Sequence, residues 1–167
     1  FHLLKTDVHS HLLPGIDDGS PDVTTSINLM KGMVELGFES FTATPHVMED
    51  IWKNDDQSIS AAHLLLINAL KEFNMQYPVV AAAEYLVDGH LEQLLKNKIQ
   101  LRTIRNNWVL IEVSFIQPAS SISEVVVDEP DSFRWFVLGT LPTLFISVFL
   151  KDSKKILGMD KTKRGAL

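Results

Sequence analysis

The chain is 167 residues long, 46% hydrophobic, and carries a formal charge of −6 with no cysteine. The missing thiol excludes disulfides, cysteine nucleophiles and thiolate metal sites, so any metal chemistry must use imidazole and carboxylate ligands. Residues 1–129 hold eight Lys/Arg against eighteen Asp/Glu (net −10) and residues 130–167 seven against three (net +4); an acidic body without a basic stripe excludes nonspecific nucleic-acid binding.

The sequence starts at Phe1. With no initiating Met, and none of the charged region, apolar core and cleavage pattern of a signal peptide, it leads us to expect a few residues lost at the start and no signal peptide. Residues 3–9 read as a short strand and 12–20 as a loop dense in Pro, Gly and Asp. Ser20 reads as an N-cap with Pro21 in the first turn; Ile27, Met30 and Val34 keep helical spacing up to Gly37, a natural C′ residue. The pattern then repeats. Residues 40–44 read as a strand, 54–57 belong to a polar loop, and 59–73 carry apolar residues at helical spacing, including Leu66, Leu70 and Phe73. A third strand over 79–83, a short helix over 91–95 and a fourth, nearly continuously apolar strand over 108–113 follow. Alternating β and α elements predict an α/β fold with a parallel sheet or barrel. The chain is short of the roughly 200 or more residues of a complete α/β barrel.

In such folds functional groups collect at the carboxyl ends of the strands. Asp7-Val-His9-Ser-His11 sets two imidazoles at i, i+2, which on a strand point to the same side and reach one ion. His46 in Thr44-Pro45-His46, Glu84 after Ala83 and Glu112 after Ile111 stand at the ends of the later strands. Five metal-capable side chains from four strands are therefore expected in one place. The imidazole and carboxylate set suits Mn²⁺, Fe²⁺ or Zn²⁺, and a carboxylate such as Glu84 is able to bridge two ions. Two ions about 3.5 to 4 Å apart activate water and stabilise displacement at phosphorus, which makes phosphate-ester hydrolysis the natural chemistry.

The run Asp7-Val-His9-Ser-His11-Leu-Leu-Pro-Gly-Ile-Asp17-Asp18-Gly19, followed by Ala43-Thr44-Pro45-His46, Ala82-Ala83-Glu84-Tyr85 and Leu110-Ile111-Glu112, resembles the polymerase and histidinol phosphatase (PHP) superfamily. More closely, it is similar to the manganese-dependent protein-tyrosine phosphatases encoded with bacterial capsule and exopolysaccharide genes. The resemblance covers about residues 6–127. It implies a partial distorted β/α barrel of TIM-like type, with His9, His11, Asp18, His46, Glu84 and Glu112 as metal ligands and Asp18 and Glu112 in catalysis. The implied centre is trinuclear, with Asp17 competing with Asp18 as ligand of the third metal, and Asp7 supports the first histidines from the strand. The implied activity is phosphomonoester hydrolysis by metal-activated water, with Mn²⁺ as first choice and Fe²⁺ or Zn²⁺ as alternatives. The implied partner is the phosphotyrosine tail of a polysaccharide-export tyrosine kinase, and the implied location is the cytoplasm. A small-molecule phosphoesterase and a noncatalytic, metal-binding or membrane-associated remnant are the competing readings.

The family continues with a segment ending in His-Pro-Glu-Arg and, near its end, Asp-Ala-His, and neither occurs here. We therefore expect residues 1–127 to form the N-terminal part of the barrel and 128–167 a divergent tail, apolar then basic, with weak or absent catalysis. Residues 135–150 contain no charge. Three readings fit them: a membrane helix with positive flanks, short for the roughly 20 residues required; a buried core segment; and out-of-frame translation. His2, His63 and His90 are expected to be structural, Ser10 to point away from the metal side, and Tyr85 either to line a substrate pocket or to pack.

Overall fold

The computed structural model describes residues 5–113 in full and the backbone of residues 134–141 and 144–150. His2, the start of the expected first strand, the boundary expected near 127 and the basic stretch after 150 lie outside these residues.

The first strand is looser than expected. Thr6 and Ser10 form isolated parallel bridges to Ser40 and Ala43, and Asp7 N donates to Ser40 O at 2.9 Å while Thr42 N donates to Asp7 O at 3.0 Å. The segment thus runs beside β1 (Phe41–Ala43). Helix α1 (Val23–Glu35) starts two residues later than the Ser20 N-cap predicts: Asp22 is the cap, accepting from Thr25 N at 2.7 Å. Ser20 is buried in the preceding loop instead, where Ser26 Oγ donates to its hydroxyl at 2.8 Å.

Helix α2 (Asp56–Glu72) begins inside the expected loop, because Asp55 and Ser58 form a reciprocal capping box. Helix α3 (Gly89–Lys96) extends the expected 91–95 at both ends and is capped by Asp88. All three helices end in the same 6→1 and 5→2 pattern, with Gly37, Asn74 and Lys98 at positive φ. Phe38 N donates to Met33 O, Met75 N to Leu70 O and Ile99 N to Leu94 O, which satisfies carbonyls that each last turn leaves open.

The expected strands 40–44 and 79–83 are both shorter than expected, and each is followed by a further short strand outside those bounds. The first runs as β1, breaks at Thr44-Pro45 and resumes as β2 (His46–Val47). The second runs as β3 (Val79–Ala81), breaks at Ala82-Ala83 and resumes as β4 (Glu84–Leu86). Pro45 has no N–H to donate, so a ladder cannot pass through it; its carbonyl still accepts from Glu84 N at 3.0 Å. β1 and β3 form one parallel pair, and the second sheet has the order β2-β4-β5-β6-β7, with β5 at Trp108–Val113, β6 at Arg134–Leu141 and β7 at Leu144–Leu150. Every pairing in it is parallel except β6 with β7.

The fold is therefore mixed α/β with parallel sheets, and the described residues form two separate sheets rather than a closed barrel. The membrane-helix reading of residues 135–150 is corrected: these residues fall largely in β6 and β7, and no described helix is long and apolar enough to cross a membrane. The core lies between α1, α2 and the strands, where Ile27, Met30, Phe41, Ile59, Leu66, Val109 and Ile111 are all at most 1% exposed. Truncating one such Ile or Leu to Ala costs about 2–5 kcal/mol, so this core holds the strand ends in place.

Candidate metal centre

His46 and Glu84 open β2 and β4 and are direct partners in the parallel register. Glu112 lies on β5, where it pairs with Leu86. His46 and Glu84 thus stand just beyond the strand breaks, not at the carboxyl ends of unbroken strands. His9 and His11 arrive from the segment beside β1. The five side chains meet around Glu84, which is 4% exposed: its carboxylate oxygens lie 4.0 Å from His9 Nε2, 3.5 Å from His11 Nε2 and 3.1 Å from His46 Nδ1. Glu112 Oε2 lies 3.6 Å from His46 Nδ1, and Asp18 Oδ1 lies 3.4 Å from His46 Nε2. Three overlapping groups each have ligand atoms spaced to hold an ion: His9, His11 and Glu84; His11, Asp18 and His46; His46, Glu84 and Glu112.

The two neighbouring aspartates face opposite ways. Asp18 is 65% exposed and reaches the imidazoles from the solvent side, whereas the Asp17 side chain is fully buried. Asp17 Oδ2 lies 2.8 Å from His11 Nδ1 and accepts from His46 N at 3.2 Å, and its Oδ1 accepts from Gly19 N at 3.0 Å. Gly19 is required by this turn, since a Cβ there would fall on His11 Cβ and its carbonyl oxygen. His9 Nδ1 is held by Thr44 Oγ1 at 2.6 Å, and Asp7 accepts from the His9 backbone N at 3.3 Å. The supporting role of Asp7 therefore runs through the backbone rather than the ring. Buried Asn54 donates to Ile16 O and to His46 O, both at 2.8 Å, and joins the 12–22 loop to β2.

Electrostatics follow from this crowding. Burial opposes charge on His11, yet hydrogen bonds to Asp17 and then to Glu84 raise it to about 10. Burial likewise opposes ionisation of Glu84, but His11 and His46 pull it down to about 2. His46 is raised by Glu84 against the effect of burial, whereas burial dominates at His9 and lowers it. Glu112 is raised by burial and by the neighbouring Glu84 charge. His46 Nδ1 and Glu112 Oε2 are buried without a hydrogen-bond partner; the 3.1 Å approach of His46 Nδ1 to Glu84 is not aligned for one. Two buried polar atoms that face one another across 3.6 Å without a hydrogen bond are costly, and a cation between them would satisfy both. The donor set, nitrogen and oxygen without sulfur, fits a first-row divalent ion.

The remaining candidates divide cleanly. His63 Nε2 lies 2.9 Å from Val79 O and ties α2 to β3. Ser10 Oγ points to Thr42 O at 3.4 Å. Tyr85 is 5% exposed and packs on the face of β4 opposite Glu84, its hydroxyl accepting from Arg102 N at 2.9 Å. There it lines, with His90, Leu94 and Arg102, a cavity of about 380 Å³ on the helix side of the sheet. Thr44, Asn54, Gly19 and the inward role of Asp17 are absent from the sequence-level ligand set. Thr44 was signalled only by its place in Thr-Pro-His, and Asn54 carried no signal.

Imidazoles and carboxylates converging beyond the strand breaks of parallel sheets define an α/β protein with a metal-capable centre. The chain belongs to the capsular polysaccharide synthesis CpsB/CapC family, whose sequence pattern matches residues 5–129. It is 30% identical over 109 residues to the tyrosine-protein phosphatase YwqE of Bacillus subtilis (strain 168), a match that takes in 65% of this chain and 43% of that protein. The fold is similar, with a TM-score of 0.69 and 26% identity, to a chain from the crystal structures of YwqE from Bacillus subtilis and CpsB from Streptococcus pneumoniae, described as unique metal-dependent tyrosine phosphatases. That match covers 79% of this chain and 54% of the solved one. The chain thus spans about half or less of the length of these relatives.

Proposed function

We propose that this chain is a metal-dependent protein-tyrosine phosphatase linked to capsular or exopolysaccharide synthesis, with the N-terminal part of a PHP-type β/α barrel in residues 1–127 and a divergent tail in 128–167. The observation that carries this reading is the cluster of His9, His11, Asp18, His46, Glu84 and Glu112 around buried, unpartnered polar atoms, in a family with phosphatase relatives. Mn²⁺ is the proposed ion, with Fe²⁺ or Zn²⁺ as alternatives. Bound there, such ions supply Lewis acidity, making water nucleophilic at neutral pH and neutralising phosphoryl oxygens.

The chain's own residues have distinct tasks. Glu84, ionised down to about pH 2, is the shared carboxylate at the centre. His9 and His11 approach it with Nε2, leaving Nδ1 to Thr44 and Asp17. Glu112, raised by burial and by Glu84, is the carboxylate most readily protonated when no ion is bound, and its unpartnered Oε2 faces His46 Nδ1. Asp18, on the solvent side, meets the incoming substrate and moves the proton between water and the leaving phenolate. The proposed substrate is the tyrosine-phosphorylated tail of a polysaccharide-export kinase in the cytoplasm.

The test is Mn²⁺-dependent phosphate release from a phosphotyrosine peptide, abolished in Glu84→Ala. No turnover above blank at saturating Mn²⁺ rejects catalysis. Metal binding without turnover is the second reading. Among the described ion pairs, Lys5, Lys96 and Arg102 engage Glu39, Glu92 and Asp56 rather than the cluster.

A further inference from the structure

The Asp17 carboxylate is fully buried, and its oxygens are already engaged. Oδ1 accepts from Gly19 N, and Oδ2 meets both His11 Nδ1 and His46 N. Of the two aspartates, Asp18 supplies the oxygen within ligand reach of His11 and His46. His11 and His46 come from separate segments, yet their rings stand 4.5 Å apart between centroids. One carboxylate touches the ring of the first and the backbone of the second.

Resting on the reading of this cluster as a metal centre, we propose that Asp17 is a positioning residue that orients two ligands at once. By accepting from His11 Nδ1 it leaves Nε2 as the nitrogen that faces Glu84, 3.5 Å away. By accepting from His46 N it fixes the start of β2 just after the Pro45 break, where the ladder gives the backbone least support. The loop Pro14 to Gly19 is thereby a brace between two ligand-bearing segments. Thr44 serves only one ring, His9, and does so with a neutral hydroxyl. The two supports are unequal, and loss of Asp17 disturbs more of the site than loss of Thr44.

The test compares full-length wild type with Asp17→Asn and Thr44→Val. Mn²⁺ affinity is read by calorimetry, coordination geometry by the visible spectrum of the Co²⁺-loaded protein, and ring protonation by long-range ¹H–¹⁵N NMR of the Zn²⁺-loaded wild type. We expect Asp17→Asn to weaken Mn²⁺ binding about 10- to 100-fold and to change the Co²⁺ spectrum, with a smaller loss in Thr44→Val. In the wild type, His11 should carry its proton on Nδ1. Mn²⁺ affinity and Co²⁺ spectrum unchanged in Asp17→Asn overturn the positioning role while leaving the metal centre intact. A His11 that binds Zn²⁺ through Nδ1 overturns it in the wild type alone, whether or not the variant folds. A wild type that takes up none of the three ions removes the metal centre and the positioning role together.

Discussion

Strand β4 has two faces with opposite characters, one residue apart. Glu84 faces the imidazoles, where His46 Nδ1 and Glu112 Oε2 are buried without partners. Tyr85 faces the helices, where Arg102 is nearly saturated. Its backbone N donates to Tyr85 Oη, Nη1 to Ala81 O at 3.0 Å, and Nη2 to Asp56 O and Ser60 Oγ, leaving only Nε unpartnered. The helix face is built to hold itself together, whereas the other is built to be completed by something else. Native interiors rarely leave polar atoms open, so the face where two unpartnered atoms confront one another among the imidazoles and carboxylates is where function is sought.

This contrast predicts opposite responses on the two faces. On the open face, Glu84→Ala removes the carboxylate shared by all three imidazoles, and we expect phosphatase turnover to fall at least about 10²- to 10³-fold, as loss of several kcal/mol of charge stabilisation implies. Phosphotyrosine-peptide kinetics with added Mn²⁺ measure it, and a variant retaining a tenth of wild-type turnover breaks the assignment. On the closed face, Arg102→Ala loses charge-assisted hydrogen bonds to Ala81 O and Asp56 and should cost about 2–3 kcal/mol in urea unfolding. Its Mn²⁺ affinity should stay within a few-fold of wild type; a large loss of affinity would mean that the two faces are coupled.

Protons separate the faces again. His11, raised from 6.5 to about 10, holds a proton that a metal must displace, and His46 is shifted in the same direction. Mn²⁺ affinity should therefore climb between pH 6 and 9, by up to about tenfold per unit for each proton released. The metal-free protein should show the reverse trend. The stability that His11 contributes is complete below pH 6.5 and is lost as pH rises through about 10, because the folded state holds the proton more tightly than the unfolded chain. Thermal melts with and without Mn²⁺ across this range give the two slopes. The smallest effect is expected at the end of a helix: Lys98 closes α3 at φ 54°, and Lys98→Gly should stabilise by about 0.5–1 kcal/mol in the same melts.

Much of the cluster was legible because His46, Glu84 and Glu112 each follow a strand-like run and His9 and His11 a two-residue alternation, whereas Asp18 came only from the family resemblance. The three helices were legible from spacing, although their starts were not. Ser20 and Asp22 are equally good caps by composition, and only the burial of Ser20 against Ser26 decides between them. Asp17 and Asp18 are likewise identical in kind; a turn that seats Gly19 on His11 sends one inward and the other to solvent. The resumed strands β2 and β4 were hidden because 40–44 and 79–83 read as complete strands, while the effect of Pro45 on the ladder needs the neighbouring strand. Arg102 was invisible for the same reason, since its partners Ala81, Tyr85, Asp56 and Ser60 come from three separate stretches.

The pairing of His46 with Glu84 across parallel strands makes the sheet a ruler. Their backbone separation is inherited from the spacing of adjacent strands, about 4.8 Å, and owes nothing to the length of the chain between them. That intervening stretch includes all of α2. Surface insertions there are free to accumulate while the two side chains stay opposed. A slip of β2 by a single residue, in contrast, would bring Val47 to the place of His46 and erase the centre in one step. Tolerance to change is thus divided sharply along the chain, generous in the connections and nearly nil in the two residues of β2.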